Sequence, residues 1–94
     1  MARLEFILLR DRLDSLIAHL EEQGLRHYTV YEVSSGSGPK HGLNEDRNFD
    51  RDGSVHVLVL CETERARKAL QTSADILHRS RGIGFVTLVD ASVT

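Results

Sequence analysis

Thr29-Val30-Tyr31-Glu32-Val33 runs without a break into Ser34-Ser35-Gly36-Ser37-Gly38-Pro39-Lys40-His41-Gly42. A β-branched and aromatic strand that empties into glycines brings backbone amides within reach of a phosphate. Upstream, Leu4 to Leu9 is a short apolar strand. Asp11 then serves as an N-cap, and Leu13, Leu16, Ile17 and Leu20 form the apolar stripe of a helix that Gly24 ends. Downstream, Val55 to Cys61 is a third strand with Val55, Val57 and Val59 on one face and His56, Leu58 and Leu60 on the other. Glu62 or Thr63 opens a second helix along Ala66, Ala69, Leu70, Ile76 and Leu77. It closes in the basic turn His78-Arg79-Ser80-Arg81 with Gly82 as the stop, and Ile83 to Val89 is the last strand.

The order βαββαβ is that of the ferredoxin-like α+β fold, with two helices on one face of a four-stranded antiparallel sheet. Strands one, three and four carry apolar residues on both faces, and two helices cover only one. A second copy of the chain is the expected cover for the other face, so a closed homo-oligomer is expected.

At 94 residues the chain is expected to be one domain, residues 1–94, with a thin core. A net charge of -2 argues against binding nucleic acid through bulk electrostatics. Cys61 is the sole cysteine, which excludes a disulfide framework and fits a reducing, cytoplasmic setting. The opening residues lack the pattern of a signal peptide, and no apolar run reaches the roughly 20 residues of a membrane span. The expectation is a soluble protein without direct membrane insertion, for which docking on a membrane protein stays open.

Residues 34–54 form the one long irregular segment. It holds Gly36, Gly38, Gly42, Gly53, Pro39 and the run Asn44-Glu45-Asp46-Arg47-Asn48-Phe49-Asp50-Arg51-Asp52. Irregular segments this long in small domains are commonly functional. Phe49, apolar amid charge and flanked by Arg47 and Arg51, has no core to join and is a candidate partner anchor.

The strand end Thr29 to Val33, the following Gly36-Ser37-Gly38 and Gly42, and Gly82-Ile83-Gly84 before the last strand together resemble PII signal-transduction proteins. The resemblance covers the whole chain, with residues 34–54 at the place of the T-loop and Gly82 to Gly84 at that of a shortened B-loop. It implies a homotrimer whose intersubunit clefts bind an adenine nucleotide as a regulatory ligand. The T-loop would then gate a target such as a membrane transporter. Carried over by position, Thr29, Gly36, Ser37, Gly38 and Leu60 line the cleft and Gly82, Ile83 and Gly84 form the B-loop. Lys40, Arg79 and Arg81 are the cations at hand for phosphate. The plain alternative for the two arginines is to complement a helix C-terminus.

Departures from the PII pattern narrow this. Lys40 stands where nitrogen-sensing members have the glutamine used for 2-oxoglutarate, and the T-loop tyrosine that some members modify has no counterpart. Phe85 follows Gly84 where a phosphate-binding lysine is expected, and no basic stretch follows Val89. Fewer cations imply weaker ATP binding and a preference for ADP or AMP. The chain thus resembles the short PII-like proteins tied to inorganic carbon and carboxysomes, for which bicarbonate is a further ligand and a bicarbonate transporter a candidate target.

An alternative of the same superfold is a trimeric metal-binding protein of the copper-tolerance type, with His41 and His56 as ligands. None of the five histidines shows paired ligand spacing, which favours surface histidines. The third strand lacks the aromatics of an RNA-recognition motif, and a Cys-x-x-Cys of a metal chaperone is absent. No nucleophile and base stand together, so neither catalysis nor a catalytic cofactor is expected.

Overall fold

The computed structural model describes residues 1–33 and 53–91. Strands β1 (Ala2–Leu9), β2 (Tyr28–Val33), β3 (Ser54–Cys61) and β4 (Ile83–Leu88) form one antiparallel sheet in the order β2-β3-β1-β4. Each β-helix-β crossing skips one strand position, and the two crossings interleave as the ferredoxin-like topology requires. Helices α1 (Leu13–Glu22), α2 (Thr63–Thr72) and α3 (Ala74–Ser80) supply the crossings.

Strand register divides the sheet into two faces. Leu4, Phe6 and Leu8 of β1 lie opposite Val59, Val57 and Val55 of β3, and all six are buried. Leu16 and Leu20 of α1, Ala66 and Ala69 of α2 and Leu77 of α3 close over them as one core. The two alanines let α2 lie close to the sheet. The opposite face carries Glu5, Ile7, Tyr31, His56, Leu58, Leu60 and Phe85, and Tyr31, Leu60 and Phe85 are exposed there.

Three local expectations are corrected. Asp11 does not cap α1: residues Arg10–Arg12 form a 3-10 turn, and Arg12 at the N-cap makes no side-chain capping bond. The second helix is two helices, α2 and α3, broken at Ser73. There the Thr72 hydroxyl donates to the Lys68 carbonyl at 2.9 Å and the Ser73 hydroxyl to the Leu70 carbonyl at 2.9 Å. Such back-bonding competes with the regular helical ladder. Thr72 also meets His19 Nε2 of α1 at 2.8 Å, which ties the break to the neighbouring helix.

The third correction concerns the end of α3. Arg81, at φ 53° and ψ 36°, takes the left-handed position expected of Gly82. Gly82 serves a different need, because a Cβ there would lie 2.8 Å from the Ile7 carbonyl oxygen. Close approach of this turn to β1 uses the glycine one residue beyond the left-handed position. By contrast, Gly24 at φ +81° does end α1, with its N–H on the Glu21 carbonyl and that of Leu25 on Leu20, both at 2.9 Å.

Candidate functional site

The end of α1 builds the first half of the site. Arg65 Nη2 of α2 donates to the Gln23 carbonyl at 3.0 Å, and buried Leu25 anchors the chain just past Gly24. Arg26 and His27 then pass over the edge of the sheet into β2. Thr29 pairs with Leu58 of β3, so the two side chains share the open face, with Leu60 two residues further along. Arg26, His27, Tyr28, Thr29, Leu58 and Leu60 line a groove of about 400 Å³ at this edge. Leu58 and Leu60 give it aliphatic surface, Thr29 a hydroxyl, and Arg26 and His27 a guanidinium and an imidazole. Such a lining suits a flat, partly apolar ligand bearing polar groups.

Thr29 and Leu60, both assigned to the cleft by the resemblance, line this groove together. Arg26, His27, Tyr28 and Leu58 were not singled out. Leu58 had a legible signal, since strand alternation puts it beside Leu60. Arg26 and His27 had none, because their place depends on how the turn after Gly24 is tied down.

Arg79, Arg81, Gly82, Ile83 and Gly84 gather at the opposite edge. Ile83 pairs with Ile7 on β1, and β1 and β3 stand between β4 and β2. Three strand spacings separate the two edges by about 14 Å. Arg79 Nη2 lies 3.6 Å from Asp75 Oδ2 one helical turn back. A Cβ on Gly84 would point into the core, 2.6 Å from Leu70 Cδ1. Close packing therefore accounts for glycine at position 84 as it does at 82. Gly36, Ser37, Gly38, Lys40, His41, Arg47, Phe49 and Arg51 lie outside the described residues.

His56 of the metal alternative sits mid-sheet, with Nε2 2.8 Å from Glu5 Oε2. Among the described residues no three His, Cys, Asp or Glu side chains come together to hold a metal ion. Arg10 and Glu32 pair where β2 ends. The hydrogen bond from Arg10, reinforced by its charge, holds the Glu32 carboxyl below its ordinary value. Next to Leu60, burial pushes the Cys61 thiol up. Among the described residues no helix is long and apolar enough to cross a membrane.

The chain superposes on a PII-like nitrogen regulatory protein, CPII of Thiomonas intermedia K12, solved with ADP, AMP and bicarbonate. The TM-score is 0.76 at 17% identity, covering 99% of this chain and 93% of that one. A second CPII structure, with ADP and bicarbonate, gives 0.70 at 21% identity over 92% and 82%. A putative PII-like signalling protein of Thermus thermophilus gives 0.70 at 14% identity over 92% and 82%. No curated protein matches the chain in sequence. The family model of nitrogen regulatory protein P-II matches residues 1–94, and the chain belongs to that family.

Proposed function

We propose that this chain is a PII-like regulator that binds an adenine nucleotide, ADP or AMP in preference to ATP, in the clefts of a homotrimer. Bicarbonate is the second ligand of this reading. The carrying observation is the groove that joins Thr29 and Leu60 at the β2 edge. In the proposal the groove takes the base, and Gly36, Ser37, Gly38 and Lys40 meet the phosphates with Arg79, Arg81 and Gly82 to Gly84. The groove and the Arg79 to Gly84 corner occupy opposite edges, so one cleft can use both only where the β2 edge of one protomer meets the β4 edge of the next. A head-to-tail ring repeats that contact at every interface.

Support comes from the neighbours of the same fold, of which CPII holds ADP, AMP and bicarbonate. In this reading the protein is non-catalytic and cytoplasmic, and residues 34–54 carry the ligand state to a target, with a bicarbonate or other membrane transporter as the proposed class. Ligand would act by favouring one arrangement of that segment. Isothermal titration calorimetry with ATP, ADP, AMP and cyclic AMP, each with and without magnesium and bicarbonate, tests it. Micromolar binding of ADP or AMP is the expected result, and silence from all four removes the nucleotide reading.

A further inference from the structure

We propose that Arg26 and His27 recognise the base of the bound nucleotide and take no part in holding its phosphates. The proposal rests on the nucleotide reading above and gives a role to two groove residues outside the resemblance. By charge alone Arg26 would join Lys40, Arg79 and Arg81 as a phosphate cation. Its place in the fold argues otherwise. Arg26 and His27 line the groove with Thr29, Leu58 and Leu60 and come immediately before β2, whereas Gly36 to Lys40 follow it in the chain. The five residue steps from Tyr28 to Val33 span about 17 Å of strand. A nucleotide whose phosphates are met beyond Val33 therefore brings its base to the turn before Tyr28.

Both side chains are exposed, and among the described residues neither has a hydrogen-bond or ion-pair partner. Arg65, the cation nearest to this turn in the fold, is by contrast spent on the Gln23 carbonyl at 3.0 Å. The backbone that carries the two free groups is held from below. Leu25 is buried, its N–H donates to the Leu20 carbonyl, and that of Gly24 donates to the Glu21 carbonyl, both at 2.9 Å. None of these bonds involves residues 34–52, so the turn is set in place before that segment meets a ligand. A recognition group on a fixed backbone loses less freedom on binding than one that must be ordered first.

The chemistry of the two groups suits a purine ring. A guanidinium only donates, so Arg26 can meet a ring nitrogen that accepts. A neutral imidazole has one donor and one acceptor, so His27 can also take a hydrogen from the exocyclic amine. Leu58 and Leu60 offer apolar surface to the ring face.

The test is calorimetry on the full chain as wild type, R26M, H27L and H27Q, with ADP, AMP and the 1-deaza, 3-deaza and 7-deaza analogues of ADP, each lacking one ring acceptor. R26M is expected to weaken ADP and AMP by the same factor, about tenfold, because the base is common to both. H27L is expected to do likewise, and H27Q, whose amide keeps a donor and an acceptor, to recover the loss. For one deaza analogue the R26M loss should vanish, since the contact is already missing from the ligand. A variant that weakens ADP more than AMP places its residue at the phosphates and overturns the base assignment. R26M or H27L that binds both nucleotides as the wild type does overturns that residue's part. An R26M loss that persists with all three analogues overturns the contact, leaving Arg26 to act through the shape of the turn. A wild type silent toward ADP and AMP overturns the nucleotide reading itself, and this proposal with it.

Discussion

Arg10 and Glu32 are joined by two side-chain hydrogen bonds, Nη1 to Oε2 at 2.8 Å and Nη2 to Oε1, between the 3-10 turn after β1 and the end of β2. The Arg10 backbone N–H also donates to the Gly53 carbonyl at 3.2 Å. Gly53 has φ +77°, and a Cβ there would lie 3.1 Å from Arg10 Nη2. One arginine therefore holds both the point where the chain leaves β2 and the point where it returns to β3. The fork geometry matters more than the charge, since exposed ion pairs contribute little but a bidentate pair fixes direction.

E32Q should lose this fork without disturbing the core. The folded-state Glu32 carboxyl lies below its ordinary value, so its contribution is complete above the usual carboxylate range and is lost as pH falls through the depressed value. Denaturant midpoints of wild type and E32Q should differ by a constant amount above about pH 5 and converge in more acid solution. Molar salt should shrink the gap at neutral pH as well. A gap that persists in acid would mean that Glu32 acts through packing alone.

G82A should destabilise more than G84A. The Cβ at position 82 meets the Ile7 carbonyl at 2.8 Å, and that oxygen cannot move without shifting β1. At position 84 the nearest atoms are side-chain carbons, Leu70 Cδ1 at 2.6 Å and Leu77 Cδ1 and Phe6 Cδ1 at 3.0 Å, which can shift by side-chain rotation where a backbone carbonyl cannot. Overpacking of this kind costs about 1–3 kcal/mol, with G82A expected at the upper end and G84A at the lower in urea melts.

The split βαβ order was legible because each strand ends in a recognisable punctuator and keeps its alternation, so that Val55, Val57 and Val59 fell to the core face as their spacing requires. Failures occurred where a tertiary contact overrides a local rule. Asp11 is a good capping residue, but the chain after Leu9 is drawn into a tight turn by the Arg10 bonds to Glu32 and Gly53. Gly82 looked like the left-handed stop, but its proximity to β1 demands a missing Cβ more strongly than Arg81 resists its positive φ. The groove was half legible, since a strand pattern gives Thr29 and Leu60 but not which turn residues fold over them. Glu5 passed unnoticed because one carboxylate in an apolar strand is visible only once His56 is seen beside it.

R81G should raise stability while weakening nucleotide binding. Arg81 holds the left-handed conformation at φ 53°, which costs an L-residue roughly 1 kcal/mol and glycine almost nothing. Thermal melts should therefore show a gain of about 0.5–1 kcal/mol. If Arg81 is one of the phosphate cations, calorimetry on the same variant should show a lower affinity for ADP. A gain in stability with unchanged affinity would leave Arg81 a helix-end residue only.

Cys61 should react slowly. Burial raises its thiol, so little thiolate is present at neutral pH and alkylation should be slower than that of a free model thiol. The rate, followed by mass spectrometry of the labelled protein, should climb as the solution is made alkaline and should jump in denaturant. Rapid labelling of the native protein at neutral pH would contradict that environment.

A mixing experiment tests whether the cleft is shared between protomers. Leu60 is 44% exposed in the protomer, so L60E should disable the β2 edge while leaving the protomer's own core intact. Replacing Arg79 and Arg81 together by alanine should disable the β4 corner, and G38D should do the same from residues 34–54. Each homo-oligomer alone is expected to bind no nucleotide. When L60E and R79A/R81A are unfolded together in equal amounts and refolded, random head-to-tail assembly makes about one quarter of the clefts from two unaltered halves. Calorimetry should then recover binding at about a quarter of the wild-type stoichiometry with wild-type affinity. Recovery of none would place both halves in one protomer, against the opposite-edge arrangement of Thr29 and Ile83.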